Sequence, residues 1–176
     1  RDLAGNTGAS ATSTVLVDTI APSTTAAMTG LADNWGGVQG NVASGGWTDD
    51  TTLVLSGTFG GATVGASMAV GENLRVFDGS TYLGNAAVTV VPGGQSTWTY
   101  VDVRTLGHAQ ALSYTVRVVD AVGNPGAASA AYTATLDTQA PAASVAVSAL
   151  IDELSSSGVV PSGGTTGSAN LRLSGT

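Results

Sequence analysis

At 176 residues the chain has room for one domain or two, and its twelve acidic residues against five arginines, with no lysine, give a formal net charge of −7. That balance argues against nucleic acid or an anionic membrane surface as a partner, since both need basic patches. No run reaches the roughly 18 apolar residues of a membrane helix, and with no cysteine present the fold must rest on apolar burial, hydrogen bonds and hard cations held by oxygen.

Residues 1–16 open on a loop, Asp2 to Asn6, followed by a strand in which Thr12, Thr14 and Leu16 alternate with Ser13, Val15 and Val17. Pro22 fixes its own φ and presses Ala21 into an extended form, so a first strand is expected near Ser23 to Thr29. The connection from Leu31 to Asp50 is punctuated by Asp33-Asn34, Gly36-Gly37, Gly40-Asn41 and Gly45-Gly46, which forbid a long helix or strand. Thr52 to Thr58 reads as a strand with Leu53 and Leu55 on one face, and Phe59 to Gly71 as a loop. Asn73 to Phe77 alternates, and Asp78-Gly79 turns it into a long strand from Thr81 to Val91 that Pro92-Gly93-Gly94 ends. Thr97 to Val103 places Trp98 and Tyr100 on one face, which assigns both to the core. Leu112 to Val118 sets Leu112, Tyr114, Val116 and Val118 against Ser113, Thr115 and Arg117. Asp120 to Gly126 is a loop, and Ala128 to Leu136 closes the series. Some seven short strands at about ten-residue spacing, rich in Gly, Thr and Val, predict an all-β chain folded as a two-sheet β-sandwich.

The sequence also repeats itself. Val17-Asp18-Thr19-Ile20-Ala21-Pro22 returns 119 positions later as Leu136-Asp137-Thr138-Gln139-Ala140-Pro141. Asp2-Leu3-Ala4-Gly5-Asn6 returns as Asp120-Ala121-Val122-Gly123-Asn124, and Ser56-Gly57-Thr58 as Ser174-Gly175-Thr176. Three separated matches that share one period, give or take a residue, predict a tandem repeat array. Residues 1–19 are then the end of one repeat, 20–138 a complete one, and 139–176 the start of the next.

Several motifs in this order carry a resemblance: Leu53-x-Leu-Ser-Gly-Thr, Gly71-Glu72-x-Leu-x-Val-Phe-Asp-Gly, Tyr82-Leu-Gly-x-Ala, Trp98-x-Tyr, Arg117-Val-Val-Asp-Ala-x-Gly-Asn and Leu136-Asp-Thr-x-Ala-Pro. Together they resemble the bacterial immunoglobulin-like repeats of giant surface adhesins that Gram-negative, biofilm-forming cells secrete in one step. The resemblance covers the complete repeat and both fragments. It implies an immunoglobulin-like sandwich of about seven strands, an extracellular, cell-surface location, a stalk function, and calcium bound where consecutive modules meet. The second fragment departs from the pattern. Asp152-Glu153-Leu154-Ser155-Ser156 replaces Asp33-Asn34-Trp35-Gly36-Gly37, and Thr166-Gly167-Ser168 stands where Thr48-Asp49-Asp50 stood.

Strands that run pole to pole predict which loops meet. Asp18 in the linker and the loop Asp120 to Asn124 should share one pole. The loop bearing Asp33, Asp49 and Asp50 should lie at the other, beside Asp137, with Asp152 as the counterpart of Asp33 in the following repeat. A junction of neighbouring modules then gathers a linker Asp, an Asp-x-x-Gly-Asn loop and a long Asp-bearing loop, the oxygen-rich surroundings that calcium takes with six to eight ligands. The candidate metal ligands are Asp18, Asp33, Asp120, Asn124 and Asp137, with Asp49, Asp50 and Asp152 as lesser ones. The same aspartates can instead brace turns through their own backbone, and no Asp-x-Asp-x-Asp-Gly loop is present to decide the matter. Asp78 is expected in a hairpin turn, and Glu72 and Asp102 in solvent.

Catalytic patterns are absent. His108 is the sole histidine and belongs to a surface turn, there is no Gly-x-Ser-x-Gly elbow, and Gly60 to Gly65 lacks the Lys-Ser or Lys-Thr of a phosphate loop. The chain is therefore expected to be no enzyme but a structural spacer whose partners are the neighbouring repeats of its own chain. Two other readings stand beside it. One is a unit of a surface filament, sheath or layer with lateral contacts between copies, and the other a glycan-binding module that stacks sugars on Trp35, Trp47, Tyr82 or Phe77.

Overall fold

Alternation of buried and exposed residues marks the strands over residues 54–59, 73–78 and 111–119 most clearly. The computed structural model describes residues 1–153 and 158–175, so Leu154, Ser155, Ser156 and Thr176 of the motifs above lie outside the described residues. Two compact units divide at Thr138 and Gln139. In the first the strands are β1 (Ala26–Asp33), β2 (Gly40–Asn41), β3 (Gly46–Thr48), β4 (Val54–Phe59), β5 (Asn73–Asp78), β6 (Thr81–Asn85), β7 (Ala87–Thr89), β8 (Ser96–Val101), β9 (Ala111–Val119) and β10 (Tyr132–Leu136). The second holds β11 (Val147–Asp152), β12 (Val159–Val160) and β13 (Leu171–Gly175).

The first unit is a β-sandwich. One sheet runs β2-β1-β4-β8-β7 and the other β3-β10-β9-β5-β6. All their ladders are antiparallel except β3 with β10. Inward residues of both sheets form one cluster: Leu31, Leu53, Leu55, Phe59 and Trp98 from the first meet Leu74, Val76, Leu112, Tyr114, Val116, Val118 and Leu136 from the second. Each such side chain contributes about 1.5–3 kcal/mol by leaving water. Trp98 also donates its indole N–H to the Ala27 carbonyl at 3.1 Å, so its burial leaves no polar atom unmet.

Several elements differ from expectation. The alternating stretch Thr12 to Val17 forms no ladder, because its counterpart β10 is held between β9 and β3 and no such pair flanks residues 12–17. The first strand starts later and extends through Leu31 to Asp33, taking the start of the supposed loop into the sheet. The run from Thr81 to Val91 is two strands in different sheets: Ala86 turns inward and its N–H goes to the Leu74 carbonyl at 2.8 Å. Tyr100, half-buried on β8, fastens the crossover by donating to the Leu83 carbonyl at 2.9 Å.

Asp102 is the largest departure. Expected in solvent, it is fully buried at the end of β8. Its carboxylate accepts from the Tyr114 hydroxyl at 2.7 Å and from Arg104 Nε and Nη2 at 3.0 and 2.7 Å. Arg104 reaches on to Asp78 at 2.9 Å, whose other oxygen accepts the Ser113 N–H at 2.8 Å. Burial pushes the Asp102 carboxyl up, but the hydrogen bonds from Arg104 and Tyr114 outweigh it and hold the group below its ordinary value. Burial, then the bond to Asp102, raises the Tyr114 phenol well above its usual range.

The second unit is a three-stranded sheet ordered β12-β11-β13. Its ladder of Val147↔Gly175, Ala149↔Ser174, Leu150↔Leu173 and Ile151↔Arg172 has the register of Met28↔Gly57, Gly30↔Ser56, Leu31↔Leu55 and Ala32↔Val54 in the first, with the irregularity at the corresponding place. A Cβ on Gly57 would stand 1.9 Å from the Ala27 carbonyl oxygen, and one on Gly175 2.4 Å from that of Ala146.

Two outcomes are expected. Because the Asp102 carboxyl is depressed, its contribution is complete at neutral pH and is lost as pH falls through its folded value, below the ordinary aspartate range. Urea unfolding followed from pH 7 down to acid should therefore show a stability loss that Asp102→Asn flattens, while at pH 7 that variant is less stable by about 3 kcal/mol. Gly57→Ala should cost about 3 kcal/mol or prevent folding, since backbone on one side and Trp98 on the other leave no room to give.

Candidate functional site at the acidic poles

The loop after β9 is built around one carboxylate. Asp120 Oδ1 accepts the N–H groups of Val122, Gly123 and Asn124 at 3.0, 2.7 and 2.8 Å, and Oδ2 accepts the Asn124 side-chain amide at 2.8 Å. Desolvation pushes this carboxyl up, yet the Asn124 amide and those N–H groups together keep it below the ordinary aspartate range. The same amide donates to the Asp18 carbonyl at 3.1 Å, so the linker and the loop do share one end of the sandwich. Asp18, Pro22, Val70, Glu72 and Asp120 line one hollow there. Glu72, expected merely in solvent, sits half-buried at its wall and accepts the Ala69 N–H at 2.8 Å.

At the first residues of the chain Asp2 repeats this geometry: Oδ1 accepts from Ala4 and Asn6 N–H at 3.0 and 2.9 Å, and Oδ2 from the Asn6 amide at 2.8 Å. The sequence match thus extends to individual hydrogen bonds.

The loop joining β1 to β4 gathers its own acids. Asp33 is buried and accepts from Thr48 Oγ1 at 2.8 Å and the Trp35 N–H at 3.1 Å. Asp50, also buried, accepts the N–H groups of Asn34 and Thr52 at 3.0 and 2.7 Å. Asp137 joins them through its N–H, given to the Thr48 carbonyl at 2.8 Å, and its carboxylate lies 3.2 Å from Nδ1 of His108. Asp49 packs over Gly36, where a Cβ would meet its Oδ2 at 2.0 Å. In the second unit Thr166 donates to Asp152, and Ser168 N–H to Thr166 Oγ1 at 3.1 Å, the arrangement of Thr48 with Asp33 and Asp50 with Ser168 in place of Asp50.

These bonds rank the acids chemically. Asp33, Asp50 and Asp120 spend both carboxylate oxygens on backbone and side-chain donors, so they brace turns whatever else they hold. Asp18 engages one oxygen, with the Ile20 N–H at 3.0 Å, and the Glu72 bond also uses one. Asp18, Glu72 and Asp49 therefore keep the most capacity for a hard cation. Among the described residues no three acidic or histidine side chains converge closely enough to hold an ion unaided. Trp35 and Trp47 are exposed on and beside this loop.

Asn124→Ala should remove the bonds to Asp120 and to the Asp18 carbonyl and cost about 1–2 kcal/mol in chemical denaturation, with Asn124→Asp worse because it faces the Asp120 carboxylate. Neither the models of known protein families nor the curated proteins include a match to this chain.

Proposed function

We propose that this chain is a non-enzymatic spacer from an extracellular, cell-surface adhesin, built of tandem immunoglobulin-like modules whose acidic poles take calcium. The observation that carries the reading is the recurrence of three-dimensional detail at the sequence period: the β1–β4 register and its irregularity return in β11–β13, and the Asp120–Asn124 brace returns at Asp2–Asn6. The sheet orders β1-β4-β8-β7 and β3-β10-β9-β5-β6 agree with the strand arrangement of an immunoglobulin sandwich that has a first strand split between sheets. Tyr114, early in β9 and bonded back to Asp102, stands where such sandwiches carry a tyrosine corner.

Calcium fits such poles as a shared ligand. Each end offers a few carboxylate oxygens that are not already spent, short of the six to eight the ion takes, so a neighbouring module's loop must supply the remainder. An ion bound there would offset repulsion among the clustered acids of a pole and would limit bending about Pro22 and Pro141.

Two copies of residues 20–138 joined through their own linker should melt at least about 4 °C higher in calcium than in chelator, with a longer maximum dimension by small-angle scattering. One copy should respond far less. Identical melting and length in the two conditions would leave the joint without an ion.

A further inference from the structure

The outer face of the β5–β9 pair carries a feature that a spacer does not need. Arg75 and Arg117 are direct cross-strand partners, a like-charge pairing that destabilises a sheet. Neither lies within ion-pair distance of a carboxylate among the described residues, although the chain carries twelve acids. Both are held against aromatic rings instead. The Arg117 guanidinium sits 4.3 Å from the Phe77 ring centre and that of Arg75 5.5 Å from Tyr82. Phe77 and Tyr82 touch each other at 5.7 Å. Phe77 is buried yet stands outside the core cluster, because it is covered from outside by Arg117 and Tyr82. Arg117 Nε is enclosed without an acceptor, which adds to the cost of the arrangement.

A guanidinium held over a ring still has N–H donors that the ring does not use, and these can take a carboxylate. Beside the two arginines stand the exposed ring of Tyr82 and an amide chain. Tyr82 donates to Asn85 at 2.8 Å, and Asn85 to Asn73 at 3.2 Å. From this juxtaposition we infer that the outer face formed by Arg75, Phe77, Tyr82 and Arg117 binds a carboxylated polysaccharide, its acid groups on the two guanidinium edges and a sugar ring against Tyr82.

Charge selects this occupant over other anions. A nucleic-acid duplex presents about one charge per 1.7 Å, more than two arginines on a chain of net charge −7 can answer, whereas a uronate chain carries only one per sugar, a density the two guanidinium groups can match. In a second copy of this chain Asp33, Asp50, Asp78, Asp102 and Asp120 turn their oxygens to internal donors, and the carboxylates with capacity left, Asp18, Glu72 and Asp49, stand singly in loops and linker without the regular spacing of a uronate chain.

The test is titration of the full 176-residue chain with oligogalacturonate in EDTA, so that calcium cannot bridge sugar and acidic poles, read by calorimetry and by amide shifts in NMR. Expected are shifts at Arg75, Tyr82 and Arg117, weakening with salt, no binding of a neutral galactose oligomer, and at least about tenfold loss in Arg75→Gln/Arg117→Gln. Arg75→Gln alone, which leaves Phe77 covered, should weaken binding and keep the melting temperature. Absence of binding, equal binding of the neutral oligomer, or an unchanged affinity in either variant overturns the inference. So does self-association of the wild-type chain that the double variant abolishes, which would make this face a contact between copies.

Discussion

A single carboxylate ties the two sheets together at one end. Asp102 leaves β8 in one sheet, receives the hydroxyl of Tyr114 from the other, and through Arg104 is joined to Asp78 at the turn between β5 and β6. Apolar packing over the rest of the interface is tolerant of small shifts, but this chain of donors and acceptors is not: each lone pair has an assigned proton, and sliding one sheet by a residue would strand a buried charge. Hydrophobic contacts hold the sheets face to face, and the Asp102 network fixes where along each other they lie.

The rest of the architecture follows from that alignment. With β8 and β9 in place, Trp98 crosses β4 to the Ala27 carbonyl of its own sheet and Tyr100 reaches the Leu83 carbonyl of the other, so the aromatic residues of β8 tie it both sideways and across. Loops at the ends are then short of regular partners, and aspartate supplies them. Asp33, Asp50 and Asp120 each replace missing ladder bonds with carboxylate ones. The acid-rich composition is thus partly a structural requirement of lysine-free, glycine-rich loops, and only a few carboxylates, Asp18, Glu72 and Asp49 among them, keep oxygens that these turns do not use.

Much of this was legible in the residues. Period-two alternation gave the buried faces of β4, β5 and β9, and the sandwich followed from strand number and spacing. The meeting of Asp18 with the Asp120–Asn124 loop followed from topology. Asp102 was misjudged although its signal was present. The alternation that puts Trp98 and Tyr100 inward continues to Asp102, but the general rarity of buried aspartate outweighed it. Its partner Tyr114 is twelve residues away, and no local pattern announces such a bond. The break at Ala86 was hidden for a similar reason: no proline interrupts Thr81 to Val91, and only contacts with Leu74 and Tyr100 transfer the chain between sheets. The pairing of Arg75 with Arg117 depends on register and not on sequence spacing, so no local pattern announces it.

The outermost strands have a consequence of their own. β2 comprises two residues, β7 three and β3 three, so most borders of the sandwich present too few dangling backbone groups to recruit a stray strand. A chain in which the register of one strand pair returns in a second, as that of β1–β4 does in β11–β13, holds both versions at high local concentration, where exchange of equivalent segments is the ordinary route to misassembly. Clipped borders deny that exchange a foothold, so each sheet keeps its own strands.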